Sequence, residues 1–170
     1  MSEVVNGVPD GGTATRLPPR GRLLGVDFGT VRVGLAVSDP DRLIASPLDT
    51  RTRAGDAADA AYFAQVVAAE RVVGFVVGLP LHARGNEGTK AAEARQFGAW
   101  LGSVTGLPVV FWDERFTTAL ADDAFREAKL SHKKRKDRRD RVAAVLILQG
   151  FLDAGCPAAG TVAEPDQPSD

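Results

Sequence analysis

Three acids stand where the surrounding sequence gives a carboxylate no ordinary place. Asp27 interrupts the apolar run Leu23-Leu24-Gly25-Val26-Asp27-Phe28, and burying an unpaired carboxylate there costs several kcal/mol. A salt bridge or a turn cap could compensate it, but Gly25, Gly29 and Thr30 beside it suit close approach of a substrate or another backbone. Glu114 follows the apolar stretch ending at Phe111-Trp112, at the kind of strand end outside which α/β proteins bind ligands. Asp113 is the competing acid, and strand alternation sends it to the opposite face. Asp140 opens the apolar helical run Val142-Ala143-Ala144-Val145-Leu146-Ile147-Leu148, where it either complements the helix dipole or turns toward the strand ends. Asp137, one turn earlier, is a possible substitute. Together Asp27, Glu114 and Asp140 make a hard oxygen site suited to Mg2+ or Mn2+. Two such ions roughly 3.5 to 4 Å apart stabilise the attacking and leaving oxygens of an in-line phosphoryl displacement. His82 and His132 read as loop residues, not ligands.

The elements that must hold these acids follow from periodicity. Leu23 to Phe28 and Val31 to Ser38 are strands joined so tightly by Gly29-Thr30 that they must pair antiparallel. A third strand runs near Ala45 to Arg51, and Pro47 makes it an edge. Alanine-rich Asp56 to Glu70 fits a helix. Arg71 to Pro80 is a β-branched run of the kind covered on both faces. A helix over Asn86 to Ser103, a strand over Leu107 to Trp112, a helix over Thr117 to Lys129 and a last helix starting within Lys136 to Asp140 complete the order. An antiparallel meander followed by β-α units predicts an α/β fold with a five-stranded mixed sheet flanked by helices.

The 170 residues, 44% hydrophobic and 25% charged, suit one domain. Residues 1–21 and 154–170 are rich in Gly, Pro and polar groups, so a disordered N-terminal arm and C-terminal tail are expected around a domain over 22–153. Cys156, the single cysteine, lies in that tail and excludes an internal disulfide. No apolar run reaches the roughly 20 residues that cross a bilayer, and a cytoplasmic protein without a membrane partner is expected. The net charge of -1 conceals a strong asymmetry: Arg126 to Arg141 carries nine Lys or Arg against three acids, a net +6, which leaves -7 on everything else. Such a patch draws polyanions.

At these residues the chain resembles the YqgF family, the bacterial Holliday-junction-resolvase-like proteins also described as nucleases for the precursor of 16S ribosomal RNA. The likeness spans about Leu23 to Leu152. It is carried by Gly25-Val26-Asp27-Phe28-Gly29-Thr30 with Val33-Gly34-Leu35-Ala36, by Val77-Gly78-Leu79-Pro80-Leu81, by Asp113-Glu114-Arg115-Phe116-Thr117-Thr118, and by Asp140 ahead of Ala143-Ala144 and Ile147-Leu148. Phe116 stands where an aliphatic residue is commoner. The resemblance implies a ribonuclease-H-like fold and makes Asp27, Glu114 and Asp140 the catalytic, metal-binding set.

Nucleic-acid contacts are expected from Gly29, Thr30, Arg84 and Arg115 at the rim of the site and from Lys133, Lys134, Arg135 and Lys136 just before the Asp140 helix. Phosphate contacts of this kind position a substrate without reading its sequence. The substrate classes left open are a ribosomal RNA precursor and branched DNA. The first can be trimmed by a monomer; resolving the second takes two sites, hence a homodimer. Two rivals remain. Asp27-Phe28-Gly29-Thr30 also looks like the phosphate loop of sugar kinases and actin-like ATPases, which close two such domains over a nucleotide, and a non-catalytic RNA-binding module could keep the same fold.

Overall fold

The structure, a computed structural model, describes residues 16–81, 87–114 and 132–157, the side chains of His132 and Lys133 excepted. Five strands form one sheet: β1 (Arg22–Phe28), β2 (Arg32–Ser38), β3 (Ala45–Thr52), β4 (Val72–Leu79) and β5 (Val109–Asp113). Their order is β3-β2-β1-β4-β5. β1 pairs antiparallel with β2 and parallel with β4, and β4 pairs parallel with β5, so the sheet is mixed as its sequence predicts. β3 is an edge strand. Leu35 faces Asp49 and Ala36 faces Pro47, so the register slips past Leu48 beside the proline.

Alternation gives the sheet two unlike faces. Leu24, Val26, Val33, Leu35, Phe75, Val77 and Val109 meet α1 (Asp56–Glu70) and α2 (Thr89–Thr105) in one core. The other face, with Leu23, Ala36, Val76, Val110 and Trp112, is covered by α3 (His132–Asp153). Ala144, Ile147, Leu148, Phe151 and Leu152 form the buried stripe of α3, at the spacing of one helical face. Counting back along that stripe from Ala144 gives Asp140 and then Asp137. Side-chain bonds fix the helix lengthwise: Gln149 accepts from the Ala45 amide at 2.9 Å, and Thr50 donates to the Asp137 carbonyl at 2.8 Å.

Three expectations need correction. The last helix starts at or before His132, not within Lys136 to Asp140, so His132 and the run Lys133 to Lys136 are helical and Asp140 lies inside the helix. Lysine and arginine are good helix formers, and the apolar stripe that anchors the helix extends its register backwards through them. Packing also reaches beyond 22–153. Leu17 and Cys156 both pack on the α3-side core, and Arg42 donates to the Pro18 carbonyl at 2.6 Å. The α2 helix starts at Thr89, not Asn86. The expected loop His82 to Gly85 and helix Thr117 to Lys129 lie outside the described residues. Among the described residues no helix is long and apolar enough to cross a membrane.

Candidate metal centre and nucleic-acid cleft

Asp27 is the penultimate residue of β1, and its side chain takes the α3 face because Leu24, Val26 and Phe28 take the other. Its register partner across the hairpin is Gly34. A Cβ on Gly34 would overlap the carbonyl of Asp140, so the missing side chain is what lets α3 lie against β2 and brings Asp140 beside Asp27. Glu114 follows the last residue of β5 and shares the face of Val110 and Trp112. A Cβ on Gly78 would come within 2.5 Å of Glu114 Oε1 and would also strike Ile147 of α3. Two glycines on β2 and β4, the strands on either side of β1, therefore open the room beside Asp27. Asp113 is fully buried on the opposite face, as alternation requires.

Asp27 feels both of the other acids. Burial pushes the Asp27 carboxyl from 3.8 up to about 8, and the charges of Glu114 and Asp140 push in the same direction. Burial also raises Glu114, with Asp113 adding to the shift and Lys90 opposing it. Asp140 is held differently. Its Oδ2 accepts from Arg32 Nε at 2.9 Å, and Asp137 Oδ1 stands 4.0 Å from the same nitrogen. With Asp140 turned toward Arg32, no three Asp, Glu, His or Cys side chains among the described residues already converge as an ion cage. The donor set nevertheless fits a hard divalent cation. It is all carboxylate oxygen, and a +2 charge would favour the ionised form of Asp27, which burial and the charges of Glu114 and Asp140 disfavour.

In front of the acids lies a cleft of 360 Å³ whose lining includes Asp27, Gly29, Thr30, Pro80, Lys90 and Glu114. Gly29 is needed there because a Cβ would come 2.5 Å from the Arg32 carbonyl oxygen. Thus Gly29 and Thr30 join two of the acids in the cleft, with Asp140 behind them on α3. Lys134, Arg135 and Lys136 are exposed on the N-terminal turns of the same helix, whereas Arg84 and Arg115 lie outside the described residues. Two residues escaped sequence reasoning. Arg32 shares its strand face with Gly34, a signal that the hairpin register contains. Lys90 sits in the first turn of α2, where a helix following β4 points back at the strand ends.

A sequence model described as "RuvX: Holliday junction resolvase" matches residues 21–154. The chain belongs to the RuvX family. Its relatives in this family include a protein of Rhodopirellula baltica, 47% identical over 146 residues that make up 86% of this chain and 84% of the relative. A Rhodobacter capsulatus protein is 46% identical over 140 residues, covering 82% and 88%. Both are named "Putative pre-16S rRNA nuclease". Among solved structures, Thermus thermophilus RuvC in complex with a Holliday junction substrate aligns at a TM-score of 0.50 and 17% identity, over 80% of this chain and 97% of that one. This RuvX chain thus has the ribonuclease-H-like fold, and the resemblance read from its motifs holds.

Proposed function

We propose that this chain is a divalent-metal-dependent nuclease that hydrolyses phosphodiester bonds in the precursor of 16S ribosomal RNA. Asp27, Glu114 and Asp140 are its metal-binding and catalytic residues. The observation that supports the reading is the placing of carboxylates from β1, the end of β5 and α3 on one face of the sheet, where burial first, and then the charges of Glu114 and Asp140, lift Asp27 to about 8. A bound Mg2+ or Mn2+ would supply charge for the phosphoryl oxygens and a lowered water pKa. The chain's own groups do the rest. Asp27 and Glu114 orient the reacting end of the cleft, Arg32 holds Asp140 against β2, and Lys90 balances charge beside Glu114. Gly29 and Thr30 offer a close backbone approach to a phosphate. Lys133, Lys134, Arg135 and Lys136 precede Asp140 on its own helix, which supports a role in holding the polyanion near the acids.

The names of the relatives support the ribosomal substrate, and the likeness runs over more than four fifths of this chain and of each relative. The family description favours a second reading, resolution of four-way DNA junctions, which needs a symmetric pair of sites. A cleavage assay offering both substrates with Mg2+, run beside a measurement of mass in solution, separates the two. Cleavage confined to the RNA precursor supports the first reading; paired nicks in the junction by a dimer would replace it with the second.

A further inference from the structure

Next to the acid cleft, on the side of α2, lies a second one of 410 Å³, within the range of about 300 to 1,000 Å³ typical of small-ligand sites. Its wall is aromatic. Phe28 stacks on Phe97 with centroids 4.7 Å apart, and Phe97 leads to Trp100 at 5.5 Å. The Arg53 guanidinium lies over both phenyl rings, 5.6 Å from the Phe28 centroid and 5.3 Å from that of Phe97. It is held there by the buried Asp59, whose Oδ2 is 3.4 Å from Arg53 Nε. Phe28 and Trp100 are only half-buried, so the ladder is not sealed into the core.

Packing alone does not require a half-open aromatic ladder capped by a pinned guanidinium beside a catalytic cleft. Flat π surfaces and Arg planes are what unpaired nucleobases stack on. The rim chemistry agrees. Glu93 and Gln96 line this slot, where a carboxylate and an amide can accept from exocyclic amino groups, while the acids Glu93 and Asp56 disfavour a phosphate inside it. Phe28, Thr30 and Glu93 also line the Asp27–Glu114 cleft, so a base seated in the slot places a neighbouring phosphate at the acids.

We propose that the Phe28–Phe97–Trp100 slot, capped by Arg53, binds one unpaired nucleobase adjoining the scissile phosphate, and so directs the site to single-stranded segments. A paired base, stacked above and below, cannot enter it. The inference rests on the nucleic-acid reading of the acid cleft. It is tested with the full chain in EDTA, where no metal-dependent cleavage can occur, by tryptophan emission and affinity for a short mixed-sequence single-stranded RNA, the DNA of the same sequence, and duplex RNA. Single strands of either chemistry quench Trp100 emission, whereas Trp112, buried against Phe151, supplies a constant background. Trp100→Phe keeps the packing and the affinity but loses the quench. Trp100→Leu binds single strands about 5- to 100-fold more weakly with duplex affinity unchanged. Absence of quenching by both single strands, equal quenching by duplex, or unaltered single-strand affinity in a folded Trp100→Leu protein overturns the slot. The nuclease reading fails separately: Trp100-dependent binding without any metal-dependent cleavage would remove it and leave the slot standing.

Discussion

Replacing Asp27 by Asn should abolish cleavage and at the same time stabilise the metal-free protein. Asp27 has a folded pKa of about 8 against an ordinary value of 3.8, so the folded state holds a proton that the unfolded chain releases. For a group raised in this way, the favourable contribution is complete below about pH 4 and is lost as pH climbs through 8. Asparagine keeps the shape and carries no charge to lose. The stability gap between the variant and the wild type should therefore open across that window with a limiting slope of about 1.36 kcal/mol per pH unit. Two neighbouring acids share the strain, so the gap should reach about 2 to 4 kcal/mol at pH 7 and about 1 kcal/mol at pH 5. In a domain of this size, that corresponds to a rise in Tm of roughly 6 to 16 °C at pH 7. Urea or thermal unfolding in EDTA at pH 5, 7 and 8.5 measures it. Adding Mg2+ should then reverse the order: an ion at 100 times its Kd stabilises the wild type by about 2.7 kcal/mol, while the variant gains little. A variant less stable than the wild type in EDTA, or a gap that does not change with pH, would refute the claim that Asp27 is an electrostatically strained carboxylate.

Other perturbations reach the same site by different routes. Gly34→Ala drives a Cβ into the Asp140 backbone, which cannot yield as a side-chain tip could, and should cost about 3 kcal/mol or more in a denaturation experiment along with most of the activity. Arg32→Gln frees Asp140 from its 2.9 Å partner; the metal-free protein should lose about 1 kcal/mol, and calorimetry should find tighter Mn2+ binding because a competing cation has gone. Neutralising Lys133, Lys134, Arg135 and Lys136 together should weaken RNA binding and lower the slope of log affinity against log salt by up to about 3; an unaltered slope would take these residues out of the interface.

How far the site could be read from the chain differs among the three acids. Asp27 announced itself, because a carboxylate inside Leu23 to Phe28 has to be compensated by something outside its own strand. Glu114 followed from alternation, which also assigned Asp113 to the opposite face. Asp140 rests mainly on the family resemblance, because its place in the sequence suits a helix dipole equally well. The sequence places it at a helix start, but the helix already runs from His132, and what turns Asp140 toward the sheet is the stripe Ala144, Ile147, Leu148 and Phe151 continued back by one turn. The charged run conceals this helix, because its polarity suits a loop while its lysines and arginines favour helix. The mixed sheet, its edge strand and the antiparallel hairpin all follow from local pattern and turn length. The contacts of Arg32 and the room made by Gly34 and Gly78 depend on how α3 crosses the sheet, a tertiary fact that no window of sequence contains.

The central claim is tested most directly by the initial rate of cleavage of a 16S ribosomal RNA precursor in Mg2+, measured for the wild type and for Asp27→Asn, Glu114→Gln, Asp140→Asn and Asp113→Asn. The first three substitutions should each lower the rate by at least about 100-fold, Asp113→Asn should leave it within a few fold, and EDTA should silence the wild type. Wild-type cleavage that persists in EDTA, or full activity in any one of the first three variants, would contradict the assignment of the three acids as one metal centre.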